Sequence, residues 1–141
     1  MCKQFSDAHT STFAQATAAH YLKAGRMPAT LAHVRSVYAE RAQAMGEALK
    51  CELGDALTFT QPKGGLFFWA NLTGAGGKVK DGSELAKRAI EKGVAFVPGA
   101  PFYAGNADER SMRLSFVTPS VEEIHRGVAA LAAAIKEQQG R

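Results

Sequence analysis

The chain has 141 residues, 46% of them hydrophobic and 21% charged, the balance of one ordinary globular domain rather than a disordered or fibrous segment. Its net charge of +4 comes from basic residues set singly among acidic ones, as in Lys87-Arg88 before Glu91-Lys92, without the dense stripe that nucleic-acid phosphates require, so no nucleic-acid partner is expected. No window approaches the ~18 uninterrupted apolar residues of a membrane span, and Met1-Cys2-Lys3-Gln4-Phe5 lacks a signal peptide's apolar region, so a cytoplasmic location with no membrane partner is expected.

Thr10 to Ala24 reads as an alanine-rich helix with Thr10 or Ser11 as cap and Gly25 as stop, its small and aromatic residues suited to close packing against a neighbour. Pro28 opens a longer helix to about Leu53, striped by Leu31, Val34, Tyr38, Met45 and Leu49. Leu57 to Thr60 begins a strand, and Gln61 to Gly65 turns it into the run Leu66 to Leu72, which predicts a hairpin. Leu66-Phe67-Phe68-Trp69-Ala70 has no polar alternation, so both faces of that strand are expected to be covered.

Thr73 to Gly82 reads as an exposed loop. Asp81 and Glu84 predict a capping box for a helix through Lys92, with Leu85, Ala86, Ala89 and Ile90 inward and Gly93 as stop. Val94 to Val97 predicts a short strand before Pro98-Gly99, and Ala100 to Arg110 a loop. Along the next strand Met112, Leu114 and Phe116 take one face and Arg113, Ser115 and Val117 the other. Ser120 and Glu123 then form a second capping box, for a helix striped by Val121, Ile124, Val128, Leu131 and Ile135. The order from residue 28 predicts an α+β, two-layer domain, a largely antiparallel sheet with helices packed on it. Only the segment before Gly25 looks detachable.

Few residues suggest chemistry on their own. Cys2 and Cys51 form no Cys-x-x-Cys pair and read as free thiols. His9, His20, His33 and His125 lack metal-ligand spacing, so no metal is expected. Gly76-Gly77-Lys78 fails the Walker pattern, with Leu72 where a glycine is needed and Val79 where a hydroxyl residue is needed. Arg113 stands out. A guanidinium on the face of a strand turned away from the core can grip a carboxylate through two parallel hydrogen bonds; a surface arginine paired with an acidic neighbour is the alternative.

Four segments stand in a fixed order: Gln61-Pro62-Lys63-Gly64-Gly65-Leu66-Phe67-Phe68-Trp69, Glu91 through Phe102 with its Val97-Pro98-Gly99-Ala100-Pro101, Met112-Arg113-Leu114-Ser115-Phe116, and Val121-Glu122-Glu123-Ile124. Together they resemble the C-terminal part of the class I/II, fold type I, pyridoxal-phosphate-dependent aminotransferases. Lys3-Gln4 through His9-Thr10-Ser11, with Gly25-Arg26, resembles the 2-aminoadipate and multi-substrate branch. The resemblance covers essentially the whole chain.

It implies that residues 26–141 are the small domain and 1–25 a helix of the large-domain and dimer-contact region. Arg113 would hold the substrate α-carboxylate. Gly64, Gly65, Phe102 and Tyr103 would line the cleft, and Thr10 and Ser11 would lie near a neighbouring subunit in a full-length homodimer. The parent protein would use pyridoxal phosphate to exchange an amino group between an amino acid and a 2-oxo acid. The family's Schiff-base lysine lies in a Ser-x-x-Lys segment, and none occurs here, so this chain by itself is expected neither to bind the cofactor nor to transaminate. One regulator family joins an aminotransferase-like domain to a winged-helix DNA reader, which makes an effector-sensing domain of a transcriptional regulator the alternative parent.

Overall fold

The computed structural model describes residues 5–6, 9–74 and 82–139. They fall into two compact units, Met1–Val37 and Tyr38–Arg141. In the first, helix α1 spans Thr12–Lys23, and Ser11 rather than Thr10 caps it, its hydroxyl accepting from the Ala14 amide at 3.5 Å. His20 and Lys23 in the last turn suit the negative end of the helix dipole. Gly25, at φ 68°, takes the left-handed turn that ends the helix. A hydrogen bond between the Tyr21 and Thr30 hydroxyls ties α1 to the first turn of α2, Met27–Leu53. The close packing expected of α1 is not found here: none of its residues is buried, and Phe13 is 83% exposed.

The second unit contains the sheet. Strands β1 (Leu57–Phe59), β2 (Phe67–Leu72), β3 (Val97–Pro98) and β4 (Ser111–Ser115) lie in the order β1-β2-β4-β3, every neighbouring pair antiparallel. This is the expected α+β fold. Phe68, Ala70, Leu72, Met112 and Leu114 bury one face of the sheet in a cluster with Met45 and Leu49 of α2. Leu85 and Ala89 of α3, Gly82–Glu91, join the same cluster with Ile124, Leu131 and Ile135 of α4, Val121–Gln139. Phe68 is central, its ring edge-on to Phe59 at 5.3 Å and to Phe116 at 5.8 Å. In α2 the small residues Ala42, Gly46 and Ala48 are buried beside the striped ones. Gly46 leaves room for Gln61, whose amide donates to the Ala42 carbonyl at 3.1 Å.

Three expectations need correction. First, β2 is not covered on both faces: its burial alternates, leaving Phe67 41% and Trp69 36% exposed. Phe67 and Trp69 are as apolar as Phe68 and Ala70, but no second layer among the described residues meets them. Second, the strand after α3 is Val97–Pro98, not Val94 to Val97. The Val94 amide donates back to the Ala89 carbonyl at 2.9 Å, so this stretch closes the helix before it can join the sheet. Third, Ile90 points outward, at 62% exposure, because Leu85 and Ala89 already fill the inward stripe of a short helix.

The box at Asp81 lies outside the described residues, while Glu84 pairs with Arg88 at 3.4 Å. The Ser120 box forms reciprocally: the Ser120 amide donates to Glu123 at 2.8 Å, and the Glu123 amide donates to the Ser120 hydroxyl at 3.2 Å. Gly127 sits inside α4, where a Cβ would meet Val94 Cγ2 at an ordinary 3.5 Å. Gly127→Ala should therefore raise stability by about 1 kcal/mol through helix propensity alone. Urea unfolding of the chain checks this, and a loss of stability would mean that the contact is tighter than it looks.

Candidate functional site

The antiparallel register fixes which side chains share the open face of the sheet. Trp69 of β2 stands opposite Arg113 of β4, and Val97 of β3 flanks Arg113 on its other side. Phe67, two residues before Trp69, projects to the same face. Beyond β3 a single 3₁₀ turn, Ala100–Phe102, brings Phe102 and Tyr103 over it.

Two rings brace the Arg113 guanidinium: its carbon lies 4.3 Å from the Phe67 ring centre and 4.8 Å from that of Phe102. Such contacts are worth about 0.5–1 kcal/mol each where solvent reaches them. Trp69 meets Phe102 edge-on at 5.7 Å and Tyr103 at 6.2 Å, so four aromatic residues and one cation form a continuous patch. Arg113 is half-buried. Among the described residues its guanidinium pairs with no carboxylate; the ion pairs are Glu84 with Lys87 and Arg88, Lys92 with Glu137, Asp108 with Arg110, and Glu123 with Arg126. The acidic neighbour of the alternative reading is thus not found. A partly desolvated cation with a fork of donors and no paired carboxylate among the described residues suits an anionic ligand.

The loop before β4 is held by its own bonds. The Gly99 amide donates to the Ser111 carbonyl at 2.8 Å, and the buried Ser111 hydroxyl donates to the Asp108 carbonyl at 2.6 Å. The Asp108 carboxylate accepts from the side chain and the backbone N–H of Arg110, both at 3.0 Å. The Arg110 side-chain bond, followed by the backbone bond, holds the Asp108 carboxyl below the usual carboxylate range. With its pKa lowered on folding, its contribution is complete above the unfolded value and is lost as pH falls through the folded one.

Of the residues singled out in the sequence, Arg113 and Phe102 touch, and Tyr103 joins them through Trp69. Gly64 and Gly65 lie in the turn that feeds β2, Gly65 at φ 81°, with nothing within 4 Å of where a Cβ would stand at either. They set the course of the strand. Thr10 and Ser11 belong to the other compact unit. Phe67 and Trp69 are not among the residues singled out: period-two alternation puts both on one face of β2, but only the register with β4 makes that the Arg113 face.

A hollow of about 500 Å³ adjoins the patch, between Pro62 and Lys63 of the hairpin turn and Phe67, Trp69 and Asn71 of β2. A larger one, about 600 Å³, lies between α4 and the Gly93–Ala95 segment and includes none of the predicted site residues. Among the described residues no cluster of His, Cys, Asp or Glu could hold a metal. No described helix is long and apolar enough to cross a membrane. Cys51 is a free, exposed thiol, and Cys2 lies outside the described residues.

No protein-family model matches the chain. It is similar to the 2-aminoadipate transaminase of Thermus thermophilus, 42% identical over 134 residues that take in 95% of this chain and 32% of that protein. The crystal structure of a multiple substrate aminotransferase from Thermococcus profundus superposes with a TM-score of 0.87 at 35% identity, over 99% of this chain and 34% of that one. An uncharacterized HTH-type transcriptional regulator of Bacillus subtilis is 28% identical over 142 residues, 99% of this chain and 28% of the regulator. The chain thus spans about a third of the length of the relatives it matches.

Proposed function

This chain belongs to the fold type I aminotransferases, in the 2-aminoadipate and multi-substrate branch, corresponding to their C-terminal part, and on that premise we propose a role for Arg113. In the longer parent protein it grips the α-carboxylate of an amino acid that exchanges its amino group with a 2-oxo acid. The observation behind this reading is the half-buried Arg113 guanidinium on the open face of the sheet, braced by two rings and paired with no carboxylate among the described residues. Two parallel hydrogen bonds to a carboxylate would supply affinity and also fix how the Cα–H bond is presented, which is the orientation an amino-group transfer needs. Phe102 and Tyr103 would close one side of the cleft, and the turn at Gly64 and Gly65 another.

The residues described do not by themselves fit a seat for pyridoxal phosphate. The chain has no Ser-x-x-Lys segment for a Schiff-base lysine, and aromatic rings rather than phosphate-binding amides surround Arg113. The cofactor is therefore assigned to the longer parent, and this chain alone is read as inactive. Residues 1–25 are read as part of the large-domain and dimer-contact region, with Thr10 and Ser11 near a neighbouring subunit of a homodimer, and 26–141 as the small domain. That α1 buries none of its residues supports a covering partner there.

Arg113→Lys in the full-length protein keeps the charge but removes the planar fork. Half-saturation for the amino acid should rise about tenfold or more, the cost of losing a charge-assisted hydrogen bond, with cofactor absorbance intact. An unchanged half-saturation would remove the assignment. The likeness to a regulator over 99% of the chain supports a second reading, an effector-sensing domain whose Arg113 holds a carboxylate without turnover. A helix-turn-helix region upstream in the full-length sequence would favour the regulator, and its absence would favour the enzyme.

A further inference from the structure

We infer that Phe67 and Phe102 are positioning residues for the Arg113 clamp. The inference rests on the reading of Arg113 as a carboxylate site but assigns separate residues a separate task. A guanidinium on a long side chain loses rotamer freedom when it docks a carboxylate, and that cost is smaller if the plane is already held. Here two rings from different parts of the fold do the holding. Phe67 comes from β2, at 4.3 Å, and Phe102 from the turn after β3, at 4.8 Å. Trp69, the cross-strand neighbour of Arg113, meets Phe102 edge-on at 5.7 Å and supports that ring from behind.

Core packing does not explain the arrangement. Phe67 is 41% and Phe102 51% exposed, whereas the core rings Phe68 and Phe116 on the opposite face are almost wholly buried. The two rings instead share one neighbour, the Arg113 guanidinium, and Phe67 and Trp69 also line a hollow of about 500 Å³. Leucine at either position would keep an apolar surface but lose the π-face that attracts the guanidinium; tyrosine would keep it.

The test has two parts. In the 141-residue chain, proton NMR should find the Arg113 side-chain δ and ε protons shifted upfield by the two rings, and Phe102→Leu should return them toward free-arginine positions. In the full-length protein, L-leucine is compared with L-leucinamide, which lacks the α-carboxylate and carries no other. Phe67→Leu and Phe102→Leu should each raise half-saturation for the acid about three- to tenfold, raise that for the amide clearly less, and be rescued by tyrosine. An equal rise for acid and amide, or no rescue by tyrosine, would reduce the rings to structural parts and overturn the inference. So would unshifted Arg113 protons in the wild-type chain. If the leucine variants are silent while Arg113→Lys raises half-saturation for the acid and not for the amide, positioning fails and the clamp stands. If Arg113→Lys is silent as well, the clamp itself fails.

Discussion

Gly99→Ala is expected to destabilise the chain by about 3 kcal/mol, the upper end of the cost of forcing atoms into a packed site. The reason is space. A Cβ at this position would stand 2.0 Å from Ser111 Oγ, 2.7 Å from Ser111 Cβ and 2.9 Å from the Ser111 carbonyl carbon. Ser111 is fully buried and cannot swing aside without breaking its hydroxyl bond to the Asp108 carbonyl. The backbone approach that glycine permits is also the Gly99-to-Ser111 hydrogen bond, which joins the Phe102 turn to the first residue of the strand bearing Arg113. Gly105→Ala is the control, since nothing lies within 4 Å of its Cβ position. Guanidinium unfolding should separate the two variants clearly. Equal behaviour would mean that the β3–β4 junction relaxes freely.

Phe68→Ala should cost about 3–5 kcal/mol, the range for deleting a buried aromatic ring. Phe68 is fully buried and links Phe59 to Phe116, which itself meets Tyr38 edge-on at 6.3 Å, so its loss opens a cavity bordered by stiff rings that collapse poorly. Its neighbour Phe67 projects to the opposite face. Phe67→Ala should cost far less stability, because half-exposed atoms return little apolar area to water. Thermal unfolding of the two variants side by side reads out the alternation in β2, and similar losses would contradict the open face.

The elements most legible in the sequence were those specified by local chemistry. Ser120 and Glu123 announced their reciprocal cap, and the i, i+3, i+4 stripe through Ile124, Val128 and Leu131 announced the helix behind it. Arg113 was legible for the same reason, since alternation with Met112 and Leu114 needs only the strand's own period. What escaped depends on partners distant in the chain. Phe67 and Phe68 are identical as letters, and only the layer that covers one and not the other separates them. Whether Val94 joins the sheet or closes a helix depends on which carbonyl its amide finds, here that of Ala89. Trp69 entered the site through its register opposite Arg113, which no local pattern states.

The carboxylate clamp is tested most directly by measuring half-saturation for L-leucine and for L-leucinamide, probes that differ only in the α-carboxylate, in the full-length protein, wild type beside Arg113→Lys. If Arg113 grips the α-carboxylate, the wild type favours the acid over the amide and the substitution reduces that preference about tenfold or more, through a loss on the acid alone. A preference for the acid that survives in the variant at its wild-type size would contradict the assignment of Arg113.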